Sequence, residues 1–368
     1  MTPDPILEPG RLGSLSLPNR LIVAPMTRIS ATADGTPTPA MADYYADYAR
    51  GGFGLIITEG TYPDTAHSQC YVNQPGLATD AQAAGWRPVV DAVHRAGGRI
   101  AAQLMHGGAL TMHNRFVAGT VAPSAVQPAG EQPPRYHGKG PYPLPRELAA
   151  AEIPDIIAGF AAAAARAVQA GFDAVEIHGA NGYLIDQFLS HHTNRRTDDW
   201  GGSLANRLRL AVEVSRAVVA AVPAHVPVGI RISQTKVNDL SHVWPGGAAD
   251  AAAIFSALDA TGIAYIHVSS HLGCGPVFDT GLSLAGLARR HATCTVIANG
   301  KLEDTATARA LLTRGEADFL SLAKAALADP HWPAKLASGQ SPVPFDPGML
   351  SPDGSLASTA AFRAARGG

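Results

Sequence analysis

A chain of 368 residues, 46% hydrophobic and 16% charged, can bury a large core and is not composed like a disordered polymer. A formal net charge of −2 without any Lys/Arg-rich run disfavours nucleic acid and membrane surfaces as partners. Three widely separated cysteines, Cys70, Cys274 and Cys294, form no CxxC pair, which argues against zinc and iron–sulfur sites and suits a reducing compartment.

The opening Met1-Thr-Pro-Asp-Pro-Ile lacks the basic-then-apolar order of a secretory leader, and no apolar run reaches membrane-spanning length, so a cytoplasmic location is expected. Eight strand-like runs follow: Leu21–Pro25, Gly54–Thr58, Ile100–Leu104, Ala174–His178, Val226–Ile232, Ala264–Val268, Thr295–Ala298 and Phe319–Leu322. Between them lie amphipathic or Ala-rich helical patterns at Met41–Arg50, Ala84–Ala96, Pro154–Ala170, Leu204–Val222, Ala248–Ala260 and Thr305–Thr313. Continuous apolar strands suit a parallel sheet covered on both faces, and eight β/α alternations predict an α/β fold, a closed (β/α)8 TIM barrel, over an open doubly wound sheet.

One stretch breaks this rhythm. Residues 107–146, after the third strand, are rich in Pro, Gly, His and Tyr without a period. So long a connection is read as a capping insertion over the barrel mouth, with a disordered surface loop as the competing reading. The domain organisation expected is one barrel domain over 1–345 and a tail over 346–368; the tail from Ser351 is small, polar and Ala-rich, and no fold is assigned to it.

In parallel barrels the reactive groups sit at the C-terminal ends of strands. Polar residues recur there: Pro25-Met26-Thr27, Glu59-Gly60, Gln103, His178, Arg231, Asn299-Gly300-Lys301 and Ala323-Lys324. Seven such clusters around one rim are hard to explain by packing alone.

Asn19-Arg20-Leu-Ile-Val-Ala-Pro25-Met26-Thr27-Arg28 resembles the opening signature of the old yellow enzyme family. Glu176-Ile-His178-Gly-Ala-Asn181-Gly-Tyr183-Leu-Ile-Asp-Gln-Phe-Leu resembles that family's active-site signature and runs on into Asn194-Arg-Arg-Thr-Asp-Asp-Trp200-Gly-Gly-Ser-Leu-Ala-Asn206-Arg207. The likeness extends over roughly residues 5–340 in register. It implies an FMN-dependent ene-reductase that uses NADH or NADPH as transient hydride donor and reduces the C=C bond of small activated alkenes. It also suggests a homodimer.

His178 and Asn181 can both offer N–H donors; aimed at one carbonyl oxygen they would stabilise enolate-like charge. Tyr183, a phenol that keeps its proton at neutral pH, takes by resemblance the role of proton donor. Arg231 stands inside a strand, where a charge needs a partner. That partner is either an anionic reduced flavin or a barrel acid such as Glu176. Gln103 matches a flavin pyrimidine edge or simply caps its strand. The resemblance puts Thr27 beside the flavin carbonyl near N5, with Pro25 and Met26 fixing its position, and makes Gly60 a point of close backbone approach.

For the phosphate, the loops carrying Asn299-Gly300-Lys301 and Ala323-Lys324 are the candidates; the usual Gly-Arg of the second loop is replaced here, so the cation stays and the planar fork is lost. His191-His192 is read as structural, Trp200 as an anchor, and Lys236 and Asn238 as facing the mouth without an assigned role. A Schiff-base aldolase using Lys236 or Lys301 is the rival enzyme class. Two further readings are an amine dehydrogenase of the same superfamily, which would need cluster-ligating cysteines and more chain, and a flavin-storage protein.

Overall fold

A computed structural model describes residues 4–366. The start read as lacking a leader therefore falls partly, at Met1–Pro3, outside the described residues, as do the last two residues of the tail.

A short antiparallel hairpin, β1 (Gly10–Leu12) and β2 (Leu15–Leu17), precedes the first barrel strand β3 (Leu21–Val23). The chain continues through α1 (Pro39–Arg50), β4 (Leu55–Ile57), α2 (Asp80–Arg95) and β5 (Ile100–Leu104). After the insertion, which contributes β6 (Val121–Ala122) and β7 (Arg146–Glu147), come α3 (Ile153–Ala170), β8 (Ala174–Asn181), α4 (Leu184–Leu189) and α5 (Leu204–Ala221). The second half comprises β9 (Val228–Lys236), α6 (Ala248–Asp259), β10 (Tyr265–Ser269), α7 (Leu284–His291), β11 (Thr295–Asn299), α8 (Thr305–Thr313) and β12 (Phe319–Leu322). Three short helices end the chain, α9 (Lys324–Ala328), α10 (Trp332–Ala337) and α11 (Leu356–Ala364).

The eight strands β3, β4, β5, β8, β9, β10, β11 and β12 close a parallel barrel in chain order. The closed (β/α)8 TIM barrel expected from the alternation is therefore the fold. Each of the eight strand-like runs overlaps a barrel strand, with ends moved by a few residues. Helix starts follow local chemistry. At α2 the Thr79 hydroxyl accepts the Gln82 N–H at 3.2 Å while the Gln82 side chain accepts the Thr79 N–H at 3.1 Å, a reciprocal cap. No helix among the described residues is long and apolar enough to cross a membrane.

Side chains alternate along each strand, so the barrel interior is layered. The lowest layer is apolar: Ala101, Ala174, Tyr265, Ile297 and Phe319 pack with Leu12 and Leu17 of the hairpin, which seals the N-terminal end. Two residues further along the strands, the next layer holds Gln103, Glu176, His267 and Ser321, all buried. Nearer the mouth are His178 and Arg231, which line the cleft, with Ser269 and Asn299 beside Arg231. A separate apolar shell joins the outer barrel face to the helices.

The insertion at 107–146 is tied down, against the disordered-loop reading. Buried Arg196 donates to the carbonyls of Pro123 and Leu148 at 3.1 and 2.6 Å, and Ser124 Oγ accepts the Arg195 N–H at 3.0 Å. The tail also departs from expectation, since it forms α11. Buried Arg28 donates through Nη2 to Ser355 O and Thr359 Oγ1, both at 2.6 Å, and holds this helix against the barrel.

Leu12 is fully buried in the hairpin seal. Leu12→Ala should destabilise the fold by about 2–5 kcal/mol through lost transfer energy and a residual cavity. The urea-unfolding midpoint reads this directly; a shift equivalent to less than about 0.5 kcal/mol would show that the hairpin does not seal the barrel.

Candidate active site

The C-terminal ends of the strands open into a cleft with a cavity volume of about 330 Å³. The loop after β3 presents Pro25, Met26 and Thr27, and the loop after β4 presents Gly60. Gln103 comes from β5, His178 and Asn181 from β8, Tyr183 from the turn into α4, and Arg231 from β9. Ala323 and Lys324 enter after β12, and the insertion contributes Arg135, Tyr136 and Tyr142. Eleven of the fourteen residues expected at the site thus share one cleft.

Asn299, Gly300 and Lys301 do not line it. Asn299 instead accepts Arg231 Nη2 at 3.0 Å through Oδ1 and donates through Nδ2 to Ser321 O at 2.9 Å. At Gly300, with φ of 129°, a Cβ would lie 2.1 Å from Ser270 O, so the chain 270–273 packs on this turn. Lys301 is exposed.

His178 is buried, and its Nδ1 accepts the Ala180 N–H at 3.3 Å. The ring proton therefore sits on Nε2, leaving one N–H to donate. Burial first, then the nearby charge of Arg231, holds His178 well below the usual imidazole range, so the ring is neutral at pH 7. Asn181 has a left-handed backbone, φ 63°, which asparagine tolerates well, and its N–H donates to Ser233 Oγ at 2.8 Å. Its side-chain amide has no hydrogen-bond partner among the described residues. The Tyr183 ring packs edge-on against His178 at 4.9 Å between centroids, and its hydroxyl meets that of Tyr71 at 2.5 Å. Burial pushes the Tyr183 phenol far above its ordinary value.

Arg231 makes no ion pair with Glu176. Its Nη2 donates to Ser269 Oγ at 3.2 Å and to Asn299 Oδ1, while its buried Nε has no partner among the described residues. Glu176 accepts instead from Gln103 Nε2 and His267 Nδ1, both at 2.8 Å. An unpartnered guanidinium donor at the wall of a cleft fits an anionic acceptor such as the pyrimidine edge of a flavin.

Glu59, beneath the cleft, and Tyr71, which lines it, shape the site although the sequence assigns neither a role. Glu59 Oε2 accepts the backbone N–H groups of Arg28 at 2.8 Å and Ile29 at 3.1 Å, fixing the loop that carries Thr27. Ile29 has φ of 41°, an outlier for a β-branched residue, and the carboxyl group holds it there. At Gly60 a Cβ would lie 2.5 Å from Met105 Sδ, so any larger residue would have to displace that side chain. Glu59 stood at a strand end in the sequence, where its rim position was visible but not its partners. Tyr71 lies in a stretch without periodicity and gave no signal. His191 and His192 are exposed, and no group of three or more His, Cys, Asp or Glu among the described residues could hold a metal ion. Lys236 is not at the mouth as a free amine but paired with buried Asp186, which removes it as a Schiff-base nucleophile. Trp200 packs under the Arg209 guanidinium, 5.5 Å from its ring centroid.

A closed barrel whose strand ends gather these donors in one cleft is built to hold a polar ligand there. Residues 5–342 match the family described as NADH:flavin oxidoreductase / NADH oxidase. The chain is 37% identical over 343 residues, 91% of each chain, to a probable flavin mononucleotide-dependent alkene reductase of Leishmania infantum. It is 44% identical over 236 residues to 12-oxophytodienoate reductase 7 of Oryza sativa subsp. japonica, spanning 62% of this chain and 58% of the rice protein. The structure of morphinone reductase in complex with tetrahydroNAD superposes with a TM-score of 0.84 at 36% identity, covering 94% of this chain and 93% of that one. The chain belongs to the NADH:flavin oxidoreductase / NADH oxidase family, the old yellow enzymes, and is an oxidoreductase.

Burial lifts the Glu59 carboxyl to about 7, against a usual value near 4.5. Its folded value is raised, so the neutral acid is the form the fold favours. Stability from this group is complete below about pH 4.5 and declines as pH rises to about 7, by on the order of 3 kcal/mol. Unfolding free energies measured across that window should fall less steeply in Glu59→Gln than in the parent. An unchanged slope would show that Glu59 does not titrate in this range.

Proposed function

We propose that the cleft binds FMN and that the protein reduces the C=C bond of α,β-unsaturated carbonyl or nitro compounds at the expense of NADH or NADPH. The observation that carries this reading is the buried Arg231, with an unpartnered Nε, in the same cleft as a neutral donor histidine and a buried phenol. Gln103 and Arg231 would hold the pyrimidine edge, Thr27 the neighbouring carbonyl, and Ala323-Lys324 the phosphate. Asn299 acts one step back by orienting Arg231. The loop of Gly300 and Lys301 finds no support as a phosphate grip in the cleft lining. Reduced FMN, when bound, supplies the hydride taken up by the β-carbon.

The chain's own residues do the rest. His178 Nε2–H and the Asn181 amide hold the substrate oxygen and meet the negative charge that grows there. A neutral His178 polarises that oxygen without surrendering a proton to it. Tyr183 keeps its proton until charge develops at the α-carbon, then delivers it there. Closing residues of the insertion, Tyr136 and Tyr142, exclude water from this exchange.

The protein should purify yellow, and the chromophore released by heat should run as FMN. A colourless protein that also fails to take up added FMN would remove the central claim. Lys324→Ala should weaken flavin affinity in an otherwise folded barrel, measured by fluorescence titration; unchanged affinity would return Lys324 to an ordinary exposed lysine.

Tyr183→Phe should leave reduction by NAD(P)H near normal and slow reoxidation by cyclohexenone by about 10²–10⁴-fold, the usual worth of general-acid help. A nitroalkene should suffer less, because its nitronate is stable enough to take a proton from water. Stopped-flow reoxidation with each oxidant decides it, and an unchanged enone rate would make Tyr183 a packing residue.

A further inference from the structure

Tyr71 and Tyr183 bring two phenols together inside the cleft. The hydroxyl oxygens are 2.5 Å apart, the rings are 5% and 6% exposed, and neither hydroxyl has another hydrogen-bond partner among the described residues. Tyr71 is held rigidly. Gln74 Oε1 accepts the N–H groups of Cys70 and Tyr71 at 2.7 and 3.2 Å, and Gln74 Nε2 donates to Gly60 O at 2.7 Å. The Tyr136 ring of the insertion covers its outer side, 5.1 Å between centroids. On the other side, Tyr183 is wedged against His178.

Each hydroxyl has one hydrogen, so only one of the two can donate to the other. If Tyr183 donates to Tyr71, its hydrogen is engaged by Tyr71 and is not available to a substrate. If Tyr71 donates to Tyr183, the Tyr183 hydrogen is released to point into the cleft. We propose that Tyr71 is a positioning residue for the proton delivered by Tyr183: its O–H donates to the Tyr183 oxygen, turns the Tyr183 hydrogen toward the substrate, and stabilises the phenolate left behind. The inference rests on the reading of Tyr183 given above.

The proton balance is complete. The Tyr183 O–H bond breaks, and the electron pair of the enolate forms the new C–H bond at the α-carbon. The negative charge passes to the Tyr183 oxygen, which accepts the Tyr71 O–H. Water entering with product release returns a proton to Tyr183. A phenolate buried beside apolar walls and without a donor would be strongly disfavoured. Among the described residues, the donor hydrogen-bonded to it is Tyr71.

The test is a double-mutant cycle on the FMN-loaded enzyme, read by stopped-flow reoxidation. Tyr71→Phe keeps the ring and removes the hydroxyl. It should slow cyclohexenone reoxidation by roughly ten-fold or more, the scale of a hydrogen bond to a charged group, and slow a nitroalkene less. Tyr71→Phe/Tyr183→Phe should be no slower than Tyr183→Phe alone, because Tyr71 acts only through Tyr183. A multiplicative loss in the double variant, an equal loss with both oxidants, or no loss in Tyr71→Phe would overturn the role of Tyr71 and leave that of Tyr183 standing. An unchanged enone rate in Tyr183→Phe would instead sink the underlying reading, and the inference with it.

A second readout does not depend on turnover or on the variant folding. With tyrosine labelled at 13Cζ, the Tyr183 line of the parent protein in half-deuterated water should split into protonated and deuterated forms. Such splitting requires a hydroxyl hydrogen held in a hydrogen bond long enough to resist exchange. A single averaged line would overturn the contact.

Discussion

The buried carboxyl group of Glu176 is the point on which the mouth of the barrel is organised. It is wholly inaccessible, and two donors converge on it, Gln103 Nε2 and His267 Nδ1. The far side of His267 meets Ser321 Oγ at 2.8 Å. Donation from Nδ1 makes Nε2 the acceptor, so His267 is a neutral ring in one tautomer, consistent with burial lowering its affinity for a proton. Four strands, β5, β8, β10 and β12, are joined across the interior by this chain of contacts. Below it lies the apolar floor and above it the cleft. The layer does what a buried polar network must do to be tolerated, leaving few unmet groups while fixing the side chains that protrude above it.

Those protruding side chains divide the electrostatics. Arg231 is the fixed cation of the inner cleft, oriented by Ser269 and Asn299 and balanced at a distance by the acid beneath. Its neighbours are neutral: His178 through burial and the repulsion of that same cation, Tyr183 through burial of its hydroxyl. A cationic His178 beside Arg231 would place two like charges in one low-dielectric pocket. The arrangement that avoids this also leaves His178 as a neutral N–H donor in the cleft.

The barrel was legible because its strands are continuous apolar runs and its helices carry a 3.6-residue pattern. The hairpin at 10–17 carries no signal because three-residue strands are too short to show a period. Helix α11 escaped for the opposite reason: the residues it buries include Ser358 and Thr359, so polarity pointed outward where packing points inward. The residues expected at the site line one cleft where they sit at the end of a strand, since the fold then decides their direction. Asn299 is the instructive exception. It is at a strand end, yet it faces sideways to Arg231, because side-chain partners and not strand position decide the last rotation. Tyr71 and Arg28 depend wholly on long-range contacts, which local patterns do not encode.

The His178–Tyr183 signature is reactive geometry only because something outside the cleft holds it. Past the irregular pairing at Gly179–Asn181, Asn181 rejoins β9 opposite Lys236. The backbone there turns left-handed at Asn181, and its N–H groups are taken up in succession by Ser233 Oγ and by Asp186 Oδ2, the latter accepting from Gly182 at 2.7 Å. Gln187 Nε2 donates to Gly182 O at 2.7 Å, closing the turn from the helix side. Asp186 is itself deeply buried, and Lys236 supplies the opposing charge that makes its burial tolerable. The lysine that could have passed for a nucleophile is thus part of the frame. Donors that must converge on one oxygen lose about 10²-fold in rate for a displacement of about 1 Å. The brace of Ser233, Asp186, Gln187 and Lys236 therefore fixes the turn that carries Asn181 and Tyr183 into the cleft.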